Sequence, residues 1–180
     1  MDRTRQAMGE MLIYLFAVFL ITGGVLAFSY VPSGETVAYT GGYEPLRGVQ
    51  MSAAYHSILD ISFDVRGGLF LRQLHYRCAI LLGLGTVVWA LLGRFRYALP
   101  VLGLAAVAAL GGYGSADDLL SGTFLARVPV PVWYGLHLVA ALAVGALLVV
   151  SSRREAARQP RTAGFVAVTL GLSAMLIFLV

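Results

Sequence analysis

The chain has 180 residues, of which 59% are hydrophobic and 12% charged, and its mean hydropathy is +0.81. A soluble domain carries roughly 25% charged and 45–50% apolar residues, so a water-soluble globule is excluded. Disordered and collagen-like chains fail on the same numbers, and a single cysteine excludes a disulfide scaffold. An integral membrane protein remains. Its net charge of +4 comes from 13 basic residues, all arginine, against 9 acids. Those arginines border apolar runs, which is a pattern of membrane topology rather than of a nucleic-acid surface.

A membrane-spanning helix needs about 20 predominantly apolar residues. Five runs approach this: Met11–Gly34 (A), Leu69–Gly93 (B), Tyr97–Ala116 (C), Val128–Ser152 (D) and Thr162–Val180 (E). None alternates polar and apolar residues as a membrane barrel strand must, so the expected fold is an all-α polytopic membrane protein. Arg3 and Arg5 precede run A as they would a secretion signal. Its apolar core exceeds the length typical of such signals and no clean small-residue cleavage site follows, so the run is expected to persist as a helix.

The A–B connection, Val31–Gly67, is too long for a bare loop. Its first half has the turn chemistry of Pro, Gly, Ser and Glu. In its second half, Val49–Val65, Met51, Tyr55, Ile58 and Leu59 share a helical face, which predicts a helix lying on the outer membrane surface. The C–D connection, Ser115–Arg127, is expected to include a surface turn of helix.

Arg3 and Arg5, Arg94 and Arg96, and Arg153, Arg154, Arg158 and Arg161 fall on one side of the proposed spans. The opposite connections hold Arg47, Arg66 and Arg127 with the acids Glu35, Glu44, Asp60, Asp64, Asp117 and Asp118. By the positive-inside rule the N-terminus faces the cytoplasm, and five spans place the C-terminus outside the plasma membrane.

Ionisable groups inside a span are candidates for function because their burial in hydrocarbon is costly. Three stand out: His75 and Arg77 in run B and His137 in run D. His75 and His137 both lie roughly 9–12 Å below the outer boundary at ~1.5 Å per residue. Two neutral imidazoles at one depth on facing helices can hold a haem iron; they can equally be packing histidines bonded to neighbouring backbone. Thr22-Gly23-Gly24 in run A and Gly111-Gly112-Tyr113-Gly114 in run C lie at the same depth. Glycine there lets a flat macrocycle approach the backbone, or serves ordinary small-residue helix packing.

Several ordered pieces carry a resemblance. They are Thr22-Gly23, Tyr30-Val31-Pro32-Ser33-Gly34, Ala54-Tyr55-His56-Ser57-Ile58, Asp64-Val65-Arg66-Gly67-Gly68 and Leu71-Arg72-Gln73-Leu74-His75, with Gly112-Tyr113 and Tyr134-Gly135-Leu136-His137 further on. From about Arg5 to Arg154 the chain resembles the N-terminal, haem-binding half of cytochrome b, the membrane subunit of bc1 and b6f complexes. The resemblance implies a four-helix bundle of A–D within residues 1–154, with 155–180 as an additional C-terminal helix. It implies that His75 and His137 ligate one haem b near the outer side, that Gly23 and Gly112 flank it, and that Arg72 pairs with a propionate. Arg77 points about 200° round the helix from His75, towards another helix or subunit.

The departures from the family pattern are as informative. A second, deeper haem is bound in the family by histidines fourteen residues further along helices B and D; here those positions are Trp89 and Ser151. The inner glycine of helix C is replaced by Ala98, while Gly9 stands fourteen before Gly23. The inner haem is therefore expected to be absent, with Trp89 filling part of its volume. The family's Pro-Glu-Trp-Tyr segment and the Pro-Trp turn after helix C are not found, so this chain alone is expected not to run a quinone cycle, although a quinone at a subunit interface stays open. His56, Asp60 and Asp64 at i, i+4 and i+8 make a poor closed metal site and are expected to be a solvated face. Cys78 is expected to be a buried, inert thiol.

The functional expectation is a single-haem electron-transfer subunit of a larger membrane oxidoreductase, with other subunits and a periplasmic electron-transfer protein as partners. The alternative is a cofactor-free membrane anchor or assembly subunit derived from a degenerate cytochrome b.

Overall fold

The computed structural model describes residues 2–116, 120 and 122–179. Asp117 and Asp118, counted above among the outer acids, and Val180, at the end of run E, lie outside the described residues. In chain order the elements are α1 (Asp2–Ala27), β1 (Thr36–Ala38), β2 (Gln50–Ser52), α2 (Ala53–Phe63), α3 (Gly68–Leu91), α4 (Phe95–Ser115), α5 (Val130–Arg158) and α6 (Ala163–Leu179). Helices α1, α3, α4 and α5 are long and apolar enough to cross a membrane, whereas α6, with 17 residues, is apolar but shorter. The protein is an all-α, multi-pass membrane protein, as its composition requires.

The four long helices form a ring in the order α1–α3–α4–α5, so that α3 and α5 lie on one diagonal and α1 and α4 on the other. Helix α6 packs outside the ring against α1 and also meets α3. Leu12, Phe16 and Phe19 of α1, Leu82 and Trp89 of α3 and Leu148 of α5 fill the interior. The large apolar side chains left exposed point outward, as a lipid-facing surface allows.

Helix boundaries differ from the apolar runs where polar contacts decide them. Helix α1 starts at Asp2, ahead of Met11, because its first turns are tied down: Arg5 donates to Asp2 over 2.9 Å and the Gln6 amide donates to the Gln159 carbonyl over 2.7 Å. It stops at Ala27 although the apolar run reaches Gly34. Beyond it, the Val31 amide donates to Ser57 Oγ over 3.0 Å and the Ser33 carbonyl accepts from the Ala54 amide over 2.9 Å, drawing the exit into extended contact with α2.

The A–B connection contains a small antiparallel hairpin absent from the sequence expectation, with Thr36 opposite Ser52, Val37 opposite Met51 and Ala38 opposite Gln50. Met51 therefore belongs to β2 and not to the helical face assigned to it. The buried side of α2 is Ala54, Ser57, Leu59 and Ile61, so of the expected face only Leu59 is fully buried. The reason is the pair of hydrogen bonds to Val31 and Ser33, which turn the small residues Ala54 and Ser57 towards the exit of α1. The surface turn expected between C and D is a short 3₁₀ turn, Phe124–Arg127.

The corner between α2 and α3 sets the height at which α3 begins. Gly67 has a φ of +77°, a left-handed conformation open chiefly to glycine. A Cβ on Gly68 would run into the Ile61 carbonyl. Two consecutive glycines thus let α2 sit directly over the start of α3.

The opposite end of the bundle gathers charge. Glu155 Oε1 accepts from Arg5 Nε at 3.2 Å and from Arg94 at 2.8 Å, and Glu10 Oε1 accepts from Arg161 at 2.8 Å and from Ser152 Oγ at 2.7 Å. Arg154 donates to the Tyr97 hydroxyl over 2.6 Å. Both glutamates are buried, and together they tie α1, α4, α5 and the segment before α6. Removing one partner of a buried ion pair leaves the other charge uncompensated. Glu155→Ala, which strands Arg5 and Arg94, is expected to destabilise the protein by about 3 kcal/mol, read as a lowered thermal unfolding midpoint in detergent.

Candidate functional site

His75 of α3 and His137 of α5 face each other across the ring, their centroids 6.2 Å apart and their planes inclined by 59°. Each is only partly buried and each uses the same nitrogen to reach a backbone carbonyl on a neighbouring helix. His75 Nδ1 lies 3.1 Å from the Phe19 carbonyl and 3.1 Å from Thr22 Oγ1; His137 Nδ1 lies 2.7 Å from the Ala108 carbonyl. A carbonyl only accepts, so Nδ1 carries a proton in both rings, and in the neutral imidazole it is then Nε2 that keeps the lone pair. Neither Nε2 has a hydrogen-bond partner among the described residues. Metal-ligating histidines are held in the same way, one ring nitrogen donating to a carbonyl and the other left basic.

The separation also suits a shared metal. Two imidazoles on opposite sides of one ion, each bonded at about 2 Å, have centroids about 6 Å apart. The donor chemistry and spacing therefore fit a haem iron. Phe19 stacks on His75 at a centroid distance of 4.1 Å and lies 6.5 Å from His137, forming an apolar wall at this level.

The other diagonal supplies the close approaches. A Cβ built on Gly23 of α1 would stand 2.8 Å from His75 Cε1, and one on Gly112 of α4 would stand 3.2 Å from His137 Nδ1. Gly111, which the sequence reading treated only as part of a glycine cluster, is tighter still. Its Cβ would lie 2.8 Å from the His137 amide nitrogen and 2.9 Å from the Trp133 carbonyl, both backbone atoms. The signal for it was the Gly-Gly pair itself, but which glycine meets the facing backbone depends on the rotation of α4.

Arg72 lies one turn before His75, and its guanidinium donates to Ser62 Oγ in α2. Arg77 faces outward and is exposed, away from the histidine pair. His56 is engaged locally: its Nδ1 is 2.9 Å from Asp60 Oδ2, while Asp64 accepts from the Gly42 amide over 2.9 Å. Among the described residues no group of three or more His, Cys, Asp or Glu side chains is arranged to hold a metal ion. Cys78 is buried in the core cluster as a free thiol.

Fourteen residues away along α3 and α5, towards the charged end, Trp89 and Ser151 are each 1% exposed and Ala98 is fully buried. A Cβ on Gly9 would touch the Trp89 indole and Glu155 Oε2, each at 3.5 Å. Among the described residues Trp89 Nε1 and Ser151 Oγ have no hydrogen-bond partner. Side chains, not an open slot, fill this level. The partners that close it, Glu10 and Glu155, were not singled out by sequence reading. Their signal was an acid placed at the very edge of an apolar run otherwise bordered by arginines.

The fold and the histidine pair define an all-α membrane protein whose bundle brings two imidazoles together between facing helices. No protein-family model matches the chain. It is 41% identical over 144 residues to the cytochrome bc1 complex cytochrome b subunit of Mycobacterium tuberculosis, covering 73% of this chain and 26% of that protein. The corresponding subunit of Streptomyces coelicolor is 42% identical over 130 residues (64% and 24%), and that of Corynebacterium efficiens 38% identical over 146 residues (73% and 26%). The chain is a homologue of these cytochrome b subunits, consistent with the N-terminal half of cytochrome b. It spans about a quarter of the length of the curated relatives it matches.

The Gly111 contact is directly testable. Neither the His137 amide nor the Trp133 carbonyl can yield without moving a helix, so Gly111→Ala is expected to cost about 1–3 kcal/mol. The unfolding midpoint should fall by more than for Gly103→Ala, where a Cβ meets nothing within 4 Å.

Proposed function

We infer that the chain is the electron-transfer subunit of a respiratory membrane complex and carries one b-type haem between His75 and His137. The single observation that carries this reading is the matched pair of imidazoles, 6.2 Å apart, each with Nδ1 committed to a carbonyl and Nε2 left basic. The homology to cytochrome b subunits supports the same cofactor class.

A haem held there supplies reversible one-electron transfer between ferrous and ferric iron. The remaining work belongs to the chain. The Phe19 and Ala108 carbonyls fix the tautomer and orientation of the two rings and raise their basicity as ligands. Gly23 and Gly112 keep the other diagonal free of side chains, and Phe19 keeps the level dry. Arg72, held near the bundle end by Ser62, is placed to pair with a propionate. The haem-binding unit is assigned to residues 1–154, and 155–180 hold the last turn of α5 and the added helix α6. The arginine-bordered end faces the cytoplasm, leaving the haem on the outer side, open to a periplasmic electron carrier or to a cofactor of a second subunit.

Burial of Trp89 and Ser151 supports a single haem. Purified chain should show one b-type haem per polypeptide in its reduced-minus-oxidised spectrum. His75→Ala and His137→Ala should each remove that spectrum, while Trp89→Ala should leave its intensity unchanged. A haem-free wild-type chain whose assembly tolerates both histidine substitutions would instead mark a cofactor-free anchor.

A further inference from the structure

Arg77 is ten residues into a 24-residue span, about 4 Å from the midpoint of α3 at ~1.5 Å per residue. It is exposed on the outer face of the bundle, and it makes no hydrogen bond, ion pair or ring contact with the described residues. Phe70, Gln73, Arg77, Ile80 and Leu84 form one exposed stripe at heptad spacing, the spacing of a seam for another helix. Gln73, one turn before Arg77, is likewise without a hydrogen-bond partner among the described residues. A guanidinium so deep in hydrocarbon is costly unless it is paired, and its side chain leans only about one turn towards the helix start.

We propose that the Phe70–Leu84 stripe of α3 docks a transmembrane helix of a different polypeptide, which presents a carboxylate to Arg77 near mid-membrane. Charge complementarity selects the occupant. A second copy of this chain is not the source of the acid: the described acids of its long helices are already held, Asp2 by Arg5, Glu10 by Arg161 and Glu155 by Arg5 and Arg94, and the other described acids lie in α2 or in the connections. Gln73 adds an amide able to bond a polar group on the same helix. This extends the reading of the chain as one subunit of an assembly, but it rests on the guanidinium and not on the haem.

The test reconstitutes the full chain in lipid vesicles with a 24-residue polyleucine helix carrying one central glutamate, or leucine at that position. Association is read by energy transfer between labels on the helix and at the chain's N-terminus. Wild type should bind the glutamate helix at least tenfold more tightly than the all-leucine helix. Arg77→Leu should abolish the difference with its haem spectrum intact, and Arg77→Lys should keep most of it. His75→Ala should also keep the preference, which separates failure of this proposal from failure of the haem assignment. Equal binding of both helices by wild type overturns the proposal. So does a stability that rises with the anionic-lipid fraction in wild type but not in Arg77→Leu without any helix preference, since that assigns Arg77 to a lipid phosphate.

Discussion

Two imidazoles inside an apolar bundle impose a requirement from which much of the geometry follows. A buried N–H without a partner is expensive, and lipid offers none. Each histidine therefore takes a carbonyl from the adjacent helix, Phe19 for His75 and Ala108 for His137. A helical carbonyl is reachable from outside only when the two helices touch, and they touch only where side chains vanish. Gly23 and the Gly111–Gly112 pair occupy those points. Histidine, borrowed carbonyl and glycine are thus one unit repeated on opposite sides of the ring.

The two ends of the bundle solve opposite problems. At the histidine end the two rings face each other 6.2 Å apart, each anchored through Nδ1 to a carbonyl of a neighbouring helix. At the other end Glu10 and Glu155 hold arginines from several helices in buried ion pairs. Such pairs contribute little net stability over apolar packing, yet they penalise any arrangement that separates them. Trp89 occupies the level between, where Trp89 Nε1 and Ser151 Oγ are buried without a hydrogen-bond partner among the described residues.

Much of this architecture was legible in the residues. Apolar runs long enough to span a membrane are a local property, and all four long helices overlap runs A to D. The depth match of His75 and His137 needed only helical rise, and the glycines at the same level needed only the same count. The hairpin of β1 and β2 escaped notice because three-residue strands carry almost no periodicity. The face of α2 was misjudged because its orientation answers to Val31 and Ser33, some twenty residues away in the chain.

Composition and spacing alone established a polytopic helical protein and the level of its histidines; the expectation that Trp89 and Ser151 stand where a second ligand pair would be came from the resemblance to cytochrome b. Those features depend on distances along one helix, which a regular backbone transmits faithfully. The tertiary structure decided the rest: which carbonyl each imidazole takes, which of two adjacent glycines meets a facing backbone, which arginines answer Glu10 and Glu155, and that Arg77 finds no polar partner among the described residues. Each of these depends on helix rotation and on contacts between segments up to about 150 residues apart. Such pairings are chosen by packing, and a linear pattern holds no record of them.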